Sequence, residues 1–336
     1  VPEGHTLHRL AQSLDAAFAG TTPAVSSPQG PFAEGAALLD GRQVVEATAY
    51  GKHLFVEFGG EAWLNVHLGL IGKFSVDRIS GYASVPAPWG AVRLRMVNQD
   101  YLADLRGATL CQVVTPDEAA ATVARLGPDP LRPDADPERA WAKISRSGRT
   151  IAELLMDQAA VAGVGNVYRC EVLFRHRVSP FRPGREIRRR TWQAIWDDLV
   201  RLMPLGVAFN QILTMDDQVE EAERLVAAGQ VPELESTWTD SARWQGRGPA
   251  GIVAAVAEVA AESGTVGDAV RDADLEDADE EELGGGPAGS DAAGLPRRFY
   301  VYRRAGEPCL VCGARVRTQV VGGRNLFWCG RCQRRR

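Results

Sequence analysis

Residues 309–332 read CLVCGARVRTQVVGGRNLFWCGRC. Cys309 and Cys312 form one CxxC pair, and Cys329 and Cys332 form a second, with sixteen residues between the pairs. That spacing suits four thiolates around one tetrahedral zinc ion. Four protein ligands leave no position for water, so such an ion is structural rather than catalytic. Two disulfides or free thiols are the alternatives. Val316–Val321 followed by Gly322-Gly323 reads as a hairpin and completes a zinc ribbon. Cys111 and Cys170 fall outside any metal spacing and read as small buried hydrophobes.

Outward from the ribbon, charge is segregated. Residues 296–336 carry eleven arginines against one acid, Glu307. Residues 216–295 hold 20 Asp/Glu and 4 Lys/Arg, a net of −16. The rest of the 336-residue chain is then +11, although the formal net charge is −5. A basic body with an acidic insertion is the footprint of a polyanionic partner. DADLEDADEEELGGGPAGS is low complexity, and the composition of 216–295 argues for disorder in much of it. Ala222–Ala228 and Ile252–Ala261 read as transient helices within it. Order is expected to return near Phe299-Tyr300-Val301-Tyr302.

Upstream lies a run of short strands: Val44–Tyr50, His53–Phe58, Trp63–Leu68, Lys73–Val76, Val92–Val97, Tyr101–Leu105 and Thr109–Val114. Strands this closely spaced suggest a β-sandwich or barrel. In Val92-Arg93-Leu94-Arg95-Met96 apolar and basic residues alternate, as in a strand with one wet face. GPDPLRPDADPER, residues 127–139, reads as a linker. Helices follow at Ile151–Asp157 and Val167–Phe174, flanking Ala162-Gly163-Val164-Gly165-Asn166. A longer helix carries Trp192, Ile195, Trp196, Leu199, Val200 and Met203 on one face.

Apolar residues are 45% and charged residues 24%, ordinary for a soluble globular protein. No apolar run reaches the 18 or more residues of a membrane span. The first twenty residues lack the features of a signal peptide, and six cysteines are too few for a disulfide scaffold. A cytoplasmic location without membrane contact is expected.

Pro2 and Glu3 suit the first turn of a helix carrying Leu7, Leu10, Ala11 and Leu14. Val1 is an unusual first residue, and a GTG start codon read literally would produce it. Removal of the initiating residue would leave Pro2 as the amino terminus. A terminal proline is a secondary amine and can form an iminium with an aldehyde-like carbon.

Taken together, the motifs resemble the formamidopyrimidine-DNA glycosylase/endonuclease VIII family of base-excision repair enzymes, most of all its actinobacterial endonuclease VIII branch. Pro2-Glu3-Gly4 matches the family's amino terminus, and Gly51-Lys52-His53-Leu54 its strand lysine motif. His67-Leu68-Gly69-Leu70-Ile71-Gly72 matches its lesion-side loop. Leu155–Gln158 and Val161–Arg169 match its helix–two-turn–helix, and Gly323-Arg324-Asn325 its ribbon arginine. The matches span residues 2–215 and 299–333 in the family's order.

The resemblance implies that Pro2 attacks C1′ of an extruded nucleoside while Glu3 supplies and removes protons. Base release leaves an iminium, and elimination of the 3′ and then the 5′ phosphate follows. A cation such as Lys52 helps keep the amine unprotonated. Lys52, His67, Asn166 and Arg324 resemble the phosphate clamp. Leu70 stands where the family inserts a wedge into the base stack. The N–H groups at the helix start after Gly163-Val164-Gly165 suit an anion.

Two departures matter. The purine-specialised turn Asp-Pro-Arg-Arg-Phe-Gly is here Asp104-Leu105-Arg106-Gly107-Ala108-Thr109, without the aromatic. The segment after Asn210, where those enzymes cap 8-oxoguanine, is occupied by the acidic insertion. Both favour oxidised pyrimidines, or permissive recognition in single strands and bubbles.

The expected architecture is α+β and multidomain. An N-terminal catalytic β-sandwich with a flanking helix (2–126) is joined by a linker (127–140) to a helix–two-turn–helix DNA-binding domain (141–215). An acidic, largely disordered insertion (216–298) and a zinc ribbon (299–336) complete it. The expected function is bifunctional DNA glycosylase and AP lyase, acting as a monomer on damaged DNA, with one structural zinc ion. A non-catalytic damaged-DNA-binding protein is the competing reading. A zinc-ribbon RNA-binding or transcription module accounts for 299–336 but not for 2–72.

Overall fold

The computed structural model describes residues 2–81, 84–232 and 295–334. Helix α1, Gly4–Phe18, buries Leu7, Leu10, Ala11, Leu14, Ala17 and Phe18, which recur at helical spacing. It starts later than the Pro2-Glu3 pattern predicts. Glu3 has extended backbone and occupies the N-cap position, but its side chain makes no cap to α1.

After β1 (Ala24–Ser26) and α2 (Ala33–Leu39) come β2 (Val44–Tyr50), β3 (His53–Phe58) and β4 (Ala62–His67). Then follow β5 (Lys73–Arg78), β6 (Val92–Val97), β7 (Tyr101–Arg106) and β8 (Leu110–Val114). All seven expected strands form, and β1 is an additional one. They make two antiparallel four-stranded sheets, ordered β1-β6-β7-β5 and β2-β3-β4-β8. Leu54, Leu64 and Val66 of one sheet and Phe74, Leu94 and Leu105 of the other share a core with α1. The alternation in β6 departs from expectation at Arg95. That side chain is buried because Asp104 on β7 receives its Nε and Nη2, each at 2.7 Å.

Next are α3 (Pro116–Ala124), α4 (Pro137–Ile144), α5 (Ile151–Met156), α6 (Asn166–Arg175) and α7 (Arg189–Phe209). The proline-rich segment before α4 is not a loose spacer. Leu126 through Pro130 are buried, Asp129 completely. On α7, Trp192, Ile195, Trp196, Leu199 and Met203 face the core, whereas Val200 is 41% exposed and lies off the stripe. Cys170 is buried, and Cys111 is half-buried against the sandwich core.

Structure continues past 215. Helix α8, Asp216–Ala227, packs on α7 through Val219 and Ala222. Its acids are partly engaged, with Arg201 Nε donating to Glu223 at 2.6 Å and Arg298 pairing with Asp217. The Ile252–Ala261 helix expected from sequence lies outside the described residues. At the far side of that segment Leu295 is already buried in the helical core. The ribbon hairpin is β9 (Val316–Val321) and β10 (Arg324–Cys329). Gly322 and Gly323 have φ of 63° and 77°, the left-handed pair a two-residue hairpin turn requires. Among the described residues no helix is long and apolar enough to cross a membrane.

Candidate active site and nucleic-acid interface

The α1 helix start docks on the turn before α6. Gly4 N–H donates to Gly163 O at 2.8 Å. This aims Glu3 away from its own helix and into the N-terminus of α6. Its Oε2 accepts from Gly165 N at 2.8 Å, and its Oε1 accepts from Val167 N at 2.7 Å. The sequence suggests an external anion for these N–H groups; the occupant is Glu3. Gly165 is required for the approach, since a Cβ there would lie 2.3 Å from Glu3 Cδ. Glu3 is wholly buried, and burial raises its pKa, against the lowering pull of Lys52 and the backbone N–H groups. Pro2, the adjoining residue, is half-buried. His5, two residues along from Glu3, is also buried, and burial drives its pKa down to about 3.

Lys52 sits in the turn between β2 and β3, half-buried and close enough to act on Glu3. The turn is held by Asp129, which sequence reasoning missed. Asp129 Oδ2 accepts from Gly51 N at 2.7 Å and pairs with His8 Nε2 at 2.8 Å. Its Oδ1 accepts from Leu131 N at 2.9 Å. One carboxylate therefore ties α1, the Lys52 turn and the proline-rich segment together. Its position among four prolines made it read as linker.

His67 ends β4. Its Nδ1 accepts from Gly69 N at 3.1 Å, so the neutral ring carries its proton on Nε2. Burial, with His53 and Lys52 nearby, lowers its pKa to about 4. Leu70 lies half-buried on the following loop, and Ile71 beside it is 49% exposed. Thr109 Oγ1 donates to His67 O at 3.1 Å and locks this loop to the turn after β7. At the end of β7, Arg106 Nη2 donates to Asp104 Oδ2 at 2.8 Å, and its guanidinium lies 4.3 Å over the Trp89 ring. Sequence reasoning noted the missing aromatic in this turn but not Trp89, which reaches Arg106 from another loop.

Asn166 opens α6, and its side chain is buried rather than presented to solvent. Its Nδ2 donates to Asn325 O at 3.0 Å, and its Oδ1 accepts from Arg169. Arg169, fully buried, also donates to Val321 O at 3.2 Å. These bonds place the hairpin turn, and half-buried Arg324 beside it, next to the Glu3 end of α6. Glu171, two residues along α6 from Arg169, accepts from Tyr300, Val301 and Tyr302 N–H and from Thr214 Oγ1, all at 2.8–2.9 Å. It fastens the chain where it re-enters the fold. Thus Glu3, Lys52 and Asn166 converge with the hairpin turn, His67 borders Lys52, and Leu70 lies half-buried on the loop after β4.

The Sγ atoms of Cys309, Cys312, Cys329 and Cys332 all lie within 4.8 Å of one another. Cys312–Cys329 is 3.5 Å and Cys309–Cys332 is 3.9 Å. Those separations are too long for disulfides, which need about 2.05 Å. Tetrahedral zinc with Zn–S of about 2.3 Å needs S···S of about 3.8 Å, so the donor set fits the ion.

The comparisons with known proteins agree domain by domain. The Formamidopyrimidine-DNA glycosylase N-terminal domain matches residues 1–111, and the Formamidopyrimidine-DNA glycosylase H2TH domain matches residues 126–217. The zinc finger found in FPG and IleRS matches residues 306–335. The chain belongs to the formamidopyrimidine-DNA glycosylase/endonuclease 8 family of DNA glycosylases and AP lyases. It is 41% identical to Endonuclease 8 1 of Mycobacterium tuberculosis over 333 residues, 99% of this chain and 100% of that protein. Formamidopyrimidine-DNA glycosylase of Thermus thermophilus is 29% identical over 304 residues, 88% of this chain and 85% of the relative. The fold is that of Lactococcus lactis Fpg in complex with DNA containing an abasic site. The TM-score is 0.65 at 18% identity, covering 99% of this chain and 100% of that one.

Proposed function

We propose that the chain excises oxidised bases, pyrimidines in preference, through a Schiff base on Pro2 followed by β,δ-elimination. The observation that carries this reading is the Glu3 carboxyl, buried at the α6 N-terminus beside Pro2 and Lys52 with its pKa raised. A carboxyl of raised pKa keeps its proton to higher pH than an ordinary carboxyl, as a proton donor requires.

In this scheme the unprotonated Pro2 amine forms a bond to C1′, and the base leaves with the bonding pair and a proton. Glu3 protonates the sugar ring oxygen as the ring opens to the iminium. Loss of a C2′ proton then expels the 3′ phosphate, and further proton loss expels the 5′ phosphate. Lys52 favours the free amine through its charge. His67 and Arg324 hold backbone phosphates, and Leu70 fills the stack. Asn166 acts through the helix start and the ribbon it joins, since its amide is already engaged. The four thiolates hold one zinc ion, which orders the ribbon and takes no part in proton transfer. The preference for pyrimidines rests on the turn after β7, which lacks the purine-specialised aromatic. The protein works as a monomer in the bacterial cytoplasm on nucleoid DNA.

Borohydride trapping on a panel of damaged duplexes tests the reading. Trapping should be strongest with oxidised pyrimidines and abolished by acetylation of the amino terminus. Excision by a protein whose terminus is blocked would overturn the Pro2 mechanism, and neither trapping nor excision on any duplex would leave damaged-DNA binding alone.

A further inference from the structure

Helix α6 and strand β10 lie side by side, and three hydrogen bonds set their register. Asn166 Nδ2 donates to Asn325 O at one end, and Phe327 N donates to Cys170 Sγ in the middle. Just past the other end of both elements, Gln333 Nε2 donates to Val178 O. Glu3, Asn166 and Arg324 belong to the first end. Ten helical residues at about 1.5 Å each put the end of α6 roughly 15 Å away. Along β10, about 3.4 Å per residue carries Cys329 some 17 Å from Arg324. Both rulers place the zinc knuckles at the pole opposite the candidate active site.

That pole is concave and basic. An open hollow of about 530 Å³ is lined by Arg177, Arg182, Arg331 and Arg334, with Val311, Cys312 and Cys332. A second, of about 330 Å³, shares Arg331 and Arg334 and adds Arg315 and Arg317. Among the described residues no carboxylate lines either hollow. The adjoining cavity, which shares Arg177, does contain Asp198 and Asp216. Both are engaged: Arg175 donates to Asp198 at 2.6 Å and to Asp216 at 2.7 Å, and His176 pairs with Asp198. All the lining arginines except half-buried Arg182 are exposed.

We propose that this six-arginine face is a second phosphodiester-binding surface, which grips a separate segment of DNA while the cleft holds the lesion. Guanidinium forks match phosphate oxygens bidentately, and several of them on one concave face suit a repeated backbone charge. Like charges gathered with no lining carboxylate repel one another, and a polyanion relieves that repulsion. Two DNA segments held at opposite poles would allow the protein to pass from one to the other without full release. The inference rests on the reading of the Glu3 pole as the DNA cleft.

The test saturates the full-length protein with a short duplex carrying a tetrahydrofuran abasic analogue, then titrates a labelled undamaged duplex at low salt. A ternary complex is expected. The Arg177→Gly/Arg334→Gln double variant should weaken the second binding about tenfold and lower the magnitude of its salt slope by about two. Arg177 has φ of 53°, so glycine there keeps the backbone conformation while removing the charge. A second pair, Arg315→Gln/Arg317→Gln, should act in the same direction. Affinity for the first duplex and zinc content should match the parent protein. Absence of a ternary complex, or one that neither pair weakens, would overturn the proposal. So would a loss of first-duplex affinity equal to the loss for the second. Failure to bind the first duplex at all would instead remove the reading of the cleft.

Discussion

The Gly165 backbone lies so close to the Glu3 carboxyl that a methyl group on its Cα would sit 2.3 Å from Glu3 Cδ. The same glycine donates its N–H to Glu3 Oε2 at 2.8 Å. Gly165→Ala should therefore push the carboxyl out of its seat without touching the nucleophile. A displacement near 1 Å costs on the order of 100-fold in rate. Single-turnover excision should fall by about that factor, with zinc content unchanged. Wild-type rates in this variant would show that Glu3 need not sit where the structure places it.

Glu3 should also set the alkaline limb of the pH profile. Burial raises its pKa above the ordinary value of 4.5, so the protonated form persists into less acidic solution. Steps that need Glu3 as a proton donor decline as pH rises through that raised value. Glu3→Gln should abolish excision of an intact base and remove this limb from any residual cleavage of a preformed abasic site. A limb unchanged in Glu3→Gln would assign it to another group.

Much of this site was legible in the residues, and the illegible parts share a cause. The CxxC pairs and the seven strands are local signals, set by spacing and alternation, and they appear in the structure where the residues place them. Glu3 as the cap of α6 was not readable, because the contact joins residues 162 positions apart. Locally, Glu3 looks like the start of its own helix. Arg95 reads as solvent-facing until β7 brings Asp104 against it. Composition alone cannot separate a linker from a buried junction, which is why Asp129 escaped notice. The acidic count from 216 onward likewise reduces α8 to a transient helix at Ala222–Ala228, whereas its few apolar residues are enough to seat a helix from Asp216 to Ala227 on α7.

Asp129 makes a sharp prediction for both stability and rate. Removing its carboxylate leaves the buried N–H of Gly51 unsatisfied and releases His8 and Leu131 N–H. An unmet buried donor costs about 1–3 kcal/mol. Asp129→Ala should lower stability by about 2 kcal/mol or more in urea unfolding and reduce excision, because the Lys52 turn loses its anchor. Asp129→Asn, which keeps an acceptor oxygen, should recover part of both. Full activity and stability in Asp129→Ala would mean that packing alone holds the turn.

Chelation and a ribbon substitution should separate zinc from DNA contact. Removing the zinc ion proposed at the four thiolates should loosen β9 and β10. DNA affinity should then fall sharply, while the sandwich, which has its own core, keeps its strand signal in circular dichroism. Arg324→Ala should retain zinc and lower the magnitude of the salt slope by about one, the loss of a single phosphate contact. An unchanged slope would assign Arg324 a structural role only.

Acid stability should report on His5. Burial lowers its pKa from 6.5 to about 3, so between those values the unfolded chain holds a proton that the folded protein excludes. Stability therefore rises with pH across that window, at up to about 1.4 kcal/mol per unit, and is lost as pH falls below 6.5. His67, lowered to about 4, acts in the same direction. Glu3 acts oppositely: its raised pKa lets the folded state hold the extra proton above 4.5, so acid favours folding there. Comparing His5→Gln with the parent protein isolates the His5 contribution, because the other two groups are present in both. The drop in Tm from pH 7 to pH 5 should be smaller in His5→Gln than in the parent. An equal drop would mean that His5 takes up its proton in the fold as readily as in the unfolded chain.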